Sequence, residues 1–207
     1  RPHREVFYIG IDSCVPDMEI ESRTSRIPLI REAYDDAVLG EKIKEKLSFI
    51  MHRNYGDFIN YWNERKSYKG LTYGAVQYPS LYMGAGEQRI IKFLETIYSI
   101  PDYSLILIDE LDLTLHTEAL LRLMQVLNDE CNTRNIQIVF TSHREELLDC
   151  NFINIRHLVN DTNGKTSICL ERTTPDCIKR LTGICPKPLE IMVEDNLCLL
   201  YTSPSPR

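Results

Sequence analysis

The chain has 207 residues, 43% hydrophobic and 26% charged, which is enough apolar material for one good core. Its net charge of -6 argues against nucleic-acid binding by bulk electrostatics, though an acidic protein can still carry a local basic face. No run approaches the roughly 18 apolar residues of a membrane span, and no charged-then-apolar leader resembles a signal peptide. The cysteines (Cys14, Cys131, Cys150, Cys169, Cys177, Cys185 and Cys198) show no CxxC or CxxH spacing. That scatter points to reduced thiols in a cytoplasmic protein and away from zinc.

In chain order, the apolar VFYIGI of residues 6–11 predicts a strand, and the polar DSCVPDMEIESRTSR after it predicts a loop with a Pro-marked turn. Between residues 33 and 51, Ala33, Ala37, Ile43, Leu47 and Ile50 recur near helical spacing, so an amphipathic helix with a break near Gly40 is expected. The aromatic-rich stretch 54–83, interrupted by RKSYKG, predicts a hairpin of two or three strands. Its tyrosines and Trp62 would suit a base-stacking platform. The preference of aromatics for β-structure explains them without a ligand and is the favoured reading.

Beyond Gly86, Ile90, Ile91, Leu94 and Ile97 mark a helix through Ile100 that Pro101 stops. Residues 105–108 form a short buried strand, TEALLRLMQVLNDECN a second helix, NIQIVFTSH a further strand running into polar residues, and REELLDC a short helix. NFINIRHLVNDTNGKTSICLER alternates and turns like a hairpin around Asn163-Gly164. From about Gln77 onward the order strand, helix, strand, helix, strand predicts an α/β fold, a mainly parallel sheet covered by helices. In such sheets ligands sit outside the carboxyl ends of the strands.

Two of those ends carry unusual chemistry. LILIDE places Asp109 and Glu110 directly after four apolar residues. In nucleotide hydrolases such a strand delivers an Asp to Mg²⁺, while an adjacent carboxylate deprotonates the attacking water. The next strand ends in FTSH, where the His143 imidazole can reach a phosphate oxygen; a lone His there is more often a cap or surface residue. Upstream, MGAGEQR has two glycines before a helix start, a place where backbone N–H groups and the helix dipole favour an anion, although an ordinary glycine turn reads the same way.

As a set, in this order and spacing, MGAGEQR, LILIDE, LDLTLH and FTSH closely resemble the signature motif, Walker B strand, D-loop and switch-histidine loop of an ABC-type ATPase domain, the ATP-binding AAA and P-loop NTPase class. The resemblance covers roughly residues 82–148 and implies ATP and Mg²⁺ as cofactors. It implies Asp109 as the metal-directing acid, Glu110 as general base, His143 as the γ-phosphate sensor, and Gly84, Ala85, Gly86, Glu87 and Gln88 as the loop that meets the γ-phosphate of ATP on a partner protomer. Gly84 stands where many relatives have a serine, so one hydroxyl contact is absent. GEQ in place of GGQ, and DELDLTLH in place of DEPTSALD, look more like the SMC/RecF-like and OLD branch, whose members act on DNA or in phage defence, than like transporter subunits. Asp112 then falls in the D-loop at the protomer interface, and Thr117, standing where an LHP proline is common, is suited to cap the next helix.

The resemblance therefore implies an ATPase that works as a homodimer through its ATP sites, with DNA or a C-terminal or separate effector as further partners and no membrane. A nucleotide-controlled clamp without turnover and a transporter nucleotide-binding subunit are the rival readings. NDTNGKTS contains the Gly-Lys-Thr that ends a P-loop, but Val159 replaces its first glycine and the context is a hairpin. No other GK[ST] occurs, so the P-loop is expected upstream of Arg1 and residues 1–175 are expected to be the C-terminal part of the ATPase domain, with 33–80 inserted before the signature motif. Residues 176–197 are expected to form a linker and the start of a Toprim-like or other C-terminal domain, with Glu194 a candidate nuclease residue. CLLYTSPSPR, residues 198–207, looks like a translated sequencing adapter and is set aside.

Overall fold

A computed structural model describes residues 4–20, 29–34, 36–62, 66–160 and 166–169, and the chain divides into two compact units, Arg1–Leu147 and Leu148–Arg207. The first unit opens with strand β1 (Val6–Ile9), a 3-10 turn (Ile11–Cys14), the one-turn helix α1 (Asp17–Ile20) and strand β2 (Ile30–Ala33). Helix α2 (Ala37–Met51) starts at Asp36, whose carboxylate accepts the Leu39 N–H at 3.0 Å, and ends at His52 in the left-handed conformation. Strands β3 (Tyr55–Trp62), β4 (Ser67–Tyr73) and β5 (Val76–Pro79) follow, then a 3-10 turn (Ser80–Tyr82) and helix α3 (Ala85–Ser99). Ile100 is extended before Pro101, as the proline ring requires of the residue preceding it, and the helix stops there. Strand β6 (Leu105–Ile108), helix α4 (Thr117–Arg134), strand β7 (Gln137–Phe140) and a 3-10 turn (Glu145–Asp149) complete it.

Two sheets result. β1, β6 and β7 form a parallel sheet in that order, with Ile9, Ile108 and Phe140 in one row at the carboxyl end. β2–β3–β4–β5 form an antiparallel sheet. The strand expected near Gln77 is β5 and belongs to the antiparallel sheet; the first parallel position is taken by β1, nearly a hundred residues from its partner in sequence. Chain order alone cannot show this, because a parallel neighbour is joined by a crossover of any length.

Ile9, Ile106 and Ile108 line the buried face of the parallel sheet. They share a core with the stripes of α2 (Ile43, Leu47, Ile50), α3 (Ile90, Phe93, Leu94, Ile97) and α4 (Leu120, Leu123, Met124, Leu127). The opposite face leaves Val6, Tyr8 and Val139 exposed, whereas purely parallel sheets usually have both faces covered.

Two expectations for residues 33–51 are corrected. Ala33 ends β2 instead of starting the helix. The helix runs unbroken through Gly40, which is buried with the Tyr34 ring so close that an added Cβ would lie 3.0 Å from it. The aromatic hairpin becomes a four-stranded sheet whose Tyr55, Phe58 and Tyr68 are buried, so those rings form a core and not a stacking platform.

In the second unit, β8 (His157–Asn160) and β9 (Thr166–Cys169) pair antiparallel, Asn160 opposite Thr166, as the hairpin reading of NDTNGKTS requires. Residues 161–165, with the Gly164-Lys165 pair, and residues 170–207, with Glu194 and the adapter-like tail, lie outside the described residues.

Candidate active site

The carboxyl ends of the three parallel strands are laced together by backbone. Asp109 N–H donates to Ile9 O at 2.9 Å, Thr141 N–H to Ile108 O at 3.0 Å, and Leu111 N–H to Thr141 O at 3.0 Å. Asp109 and Glu110 therefore sit beside the start of the FTSH loop. The Thr141 hydroxyl joins them: it donates to Asp109 Oδ1 at 2.7 Å and accepts the Glu110 N–H at 2.8 Å. One side chain thus sets both the rotamer of the first acid and the backbone of the second.

Glu110 has φ 48, the left-handed region that costs a non-glycine residue about 1–3 kcal/mol. Thr114, four residues on, has φ 69. Between them the turn is closed by Leu113 N–H to Glu110 O and Leu115 N–H to Asp112 O, both 3.1 Å. The bend takes the chain off the strand and leaves the Glu110 side chain 32% exposed, 3.9 Å from Nε2 of His143. That separation is beyond a hydrogen bond, and the His143 side chain is 79% exposed, so the imidazole is open to a ligand.

Asp112 behaves differently from its neighbours. It is buried, its Oδ2 lies 3.6 Å from Arg144 Nε, and its Oδ1 has no partner. Arg144 also donates to Leu115 O at 3.1 Å, so this carboxylate serves the packing of the turn. Thr117 is the first residue of α4 and His116 is its N-cap; the Thr117 hydroxyl donates to Glu146 Oε1 at 2.8 Å, which replaces the expected cap.

The signature-like loop splits into an outward backbone and inward side chains. Gly84 is exposed and has open space at its Cβ position, where only Glu87 Oε2 comes as near as 4.0 Å. An added Cβ on Gly86 would fall 2.9 Å from Thr114 O, so a glycine is needed there for the first turn of α3 to pack on the backbone of the turn after β6. Glu87 is buried: one oxygen accepts the Gly84 N–H at 3.2 Å, and the other accepts Tyr55 OH and Arg53 Nη1. Burial, then the Glu87 carboxylate, pushes the Tyr55 phenol well above its ordinary range, and the same two causes push Tyr78 up to about 12. Gln88 is also buried, donating to Ser80 O at 2.7 Å and Met83 O at 3.1 Å and accepting the Asp17 N–H at 2.9 Å. Glu87 and Gln88 thus hold the loop in place; with the Gly84 N–H spent on Glu87, the loop donors left to meet an anion are the backbone N–H groups of Ala85 and Gly86.

The donor set fits Mg²⁺ bound together with a polyphosphate. Among the described residues no group of three or more His, Cys, Asp or Glu side chains gathers as a metal cage. Mg²⁺ does not need one: it keeps several waters and takes one or two carboxylates plus phosphate oxygens. Asp109, with its Oδ1 oriented by Thr141 at the strand end, provides such a carboxylate.

The family model described as "AAA domain, putative AbiEii toxin, Type IV TA system" matches residues 5–149, more than half of the 207. The chain belongs to this family. A solved structure described as "Structural biochemistry of ATP-driven dimerization and DNA stimulated activation of SMC ATPases" is similar in fold to this AAA domain, with TM-score 0.52 and 14% identity, covering 72% of this chain and 92% of that one. A comparison with curated proteins finds no match. The mixed α/β architecture of this AAA-domain protein, a parallel sheet with helices, thus resembles the fold of that solved structure. No helix among the described residues is long and apolar enough to cross a membrane.

Sequence reasoning passed over Thr141 and Arg89. Thr141 lies inside FTSH, two residues before His143, and a hydroxyl at a strand end carries no signal of its own. Arg89 is an arginine at a core position, one residue before the apolar stripe of α3 begins, and it is fully buried. A charge on the buried stripe of an amphipathic helix was the available signal.

Proposed function

We propose that this AAA domain supplies the hydrolytic half of an ATPase site that closes between two protomers, and that ATP turnover gates a DNA-directed or defence-related output. The observation that carries the reading is the strand-end constellation: Thr141 fixing Asp109 and the Glu110 backbone at once, with His143 at 3.9 Å from the Glu110 carboxylate. Mg²⁺ bound with ATP neutralises charge on the phosphates. Asp109 is the residue to hold it; Glu110, turned outward by its left-handed backbone, accepts the proton of the attacking water, and His143 donates toward the γ-phosphate. On the other side of the closed dimer, the backbone N–H groups of Ala85 and Gly86, at the positive end of the 15-residue helix α3, face the partner's nucleotide.

The 207 residues hold no complete GxxxxGK[ST], so this reading assigns them the hydrolytic residues and not the phosphate-cradling lysine. The homodimer and DNA assignments draw support from the solved neighbour described for ATP-driven dimerization and DNA stimulated activation, and the defence assignment from the toxin and toxin–antitoxin words of the family description. The GEQ and DELDLTLH strings support the SMC/RecF/OLD-like branch.

The test is Glu110→Gln in the longest natural reading frame that contains these residues. Steady-state hydrolysis should drop about 10²–10⁴-fold, the range for removing a general base, while ATP-dependent dimerisation persists. Unchanged turnover refutes the assigned base, and a wild-type protein that dimerises with ATP but never hydrolyses it is the nucleotide-controlled clamp.

A further inference from the structure

Arg89 lies on the first turns of α3, and none of its surface is exposed. Its guanidinium is spent on the catalytic turn: Nη1 donates to Leu113 O at 2.9 Å, and Nη2 donates to both Asp109 O at 3.1 Å and Glu110 O at 2.6 Å. In an extended strand successive carbonyls point to opposite sides; the left-handed φ of 48 at Glu110 takes the chain out of the strand, and both carbonyls reach the one nitrogen. The Phe93 ring packs 5.2 Å from the guanidinium carbon and backs the fork from its own helix.

Burying this cation has a cost. Desolvation pulls the Arg89 pKa down, opposed by the neighbouring Cys14 and the Asp112, Glu110 and Asp109 carboxylates, and Nε has no partner among the described residues. Packing alone does not call for a charge here, since an apolar side chain would fill the space without that penalty. The same helix turn meets the same loop a second time, where Gly86 lies against Thr114 O. The signature-like loop and the Glu110 turn are therefore joined at two points, one steric and one through hydrogen bonds.

We infer that Arg89 is a positioning residue that ties the nucleotide-facing loop of residues 84–86 to the turn carrying Glu110, so that docking of the partner's nucleotide on one protomer sets the general base of that protomer's own site. This rests on the proposed two-protomer ATPase. It adds a route by which the two sites sense each other. Arginine is required because its planar fork spans three carbonyls, whereas a lysine keeps the charge as a single point.

The experiment compares wild type, Glu110→Gln, Arg89→Lys and Arg89→Gln in the complete chain, reading kcat, KM for ATP, the Hill coefficient, and amide exchange of residues 109–115 by mass spectrometry. Arg89→Lys should lower kcat about 10- to 100-fold, the scale of an ångström-level misplacement of a catalytic group, with KM nearly unchanged. Its Hill coefficient should fall to 1 from a wild-type value above 1, and residues 109–115 should exchange faster. If Arg89→Gln fails to fold, the lysine variant carries the test. A lysine variant that melts lower but keeps wild-type kcat and Hill coefficient overturns the inference, because Arg89 is then only structural. Failure of the underlying ATPase reading has a different signature: turnover that Glu110→Gln leaves untouched.

Discussion

The turn between β4 and β5 and the turn after β6 both need a left-handed residue, and they fill it differently. In the antiparallel sheet the position is Gly74, φ 59, with nothing near its absent Cβ, so the backbone is relaxed. At the carboxyl end of the parallel sheet the same conformation is forced on Glu110 and Thr114. The carboxylates differ in the same sense. Glu87, beside the antiparallel sheet, is satisfied by Gly84 N–H, Tyr55 OH and Arg53, while among the described residues the Glu110 carboxylate has only the His143 ring, at 3.9 Å. One region uses polar groups to stabilise a shape; the other holds a carboxylate in an unfavourable conformation so that it stays available. Strain of this kind persists only where neighbours over-determine it, and here Thr141 and Arg89 do so.

The largest expected effect breaks the strained side. Thr141→Val removes both bonds that orient Asp109 and Glu110, and ATP turnover of the complete protein should fall about 100-fold, with a melting temperature close to wild type; a variant of undiminished kcat would show that the hydroxyl does not set the site. Gly86→Ala attacks the joint between the two regions. Overpacking against Thr114 O costs about 1–3 kcal/mol and helix propensity returns about 1, so a net loss near 1 kcal/mol should appear in denaturant unfolding, together with reduced turnover.

Tyr55→Phe tests the relaxed side. It deprives buried Glu87 of one donor, which should lower unfolding free energy by about 1–3 kcal/mol. It also changes the alkaline limb. The Tyr55 and Tyr78 phenols have folded pKa values raised above the ordinary 10.0, so the stability they contribute is complete below pH 10 and is withdrawn as pH rises toward about 12. Melting curves between pH 9 and 12 should fall less steeply for the variant. The smallest effect is a gain: Gly84→Ser puts a better N-cap where the Cβ meets open space, worth a few tenths of a kcal/mol. If residues 84–86 face a partner's nucleotide, the added hydroxyl should also tighten ATP-dependent dimerisation, as analytical ultracentrifugation would read.

Much of this was legible in the chain. Local patterns placed β6 to the residue, α3 and α4 within two residues at each end, and β7 inside a longer expected stretch, because apolar periodicity and breakers such as Pro101 act over a few positions. They also put Asp109, Glu110 and His143 at strand ends. The helix misread from Ala33 failed where a long-range pairing, β2 on β3, overrode helical spacing. Residues 87–91 are all buried, a run that no single helical face accounts for. Only their enclosure by Arg53, Tyr55, Asp17 and the turn after β6 explains it.

The sequence by itself determined which strands end in carboxylates and which loop opens a helix with glycines, since composition and spacing carry that information locally. Tertiary structure alone decided that β1 and not the Gln77 strand completes the parallel sheet, and that Glu87 and Gln88 turn inward. It also decided that Arg89 and Thr141 both bond to the turn. These depend on partners 20 to about 100 residues away, and contacts of that separation are fixed by packing and hydrogen bonding in three dimensions, where no local pattern records them.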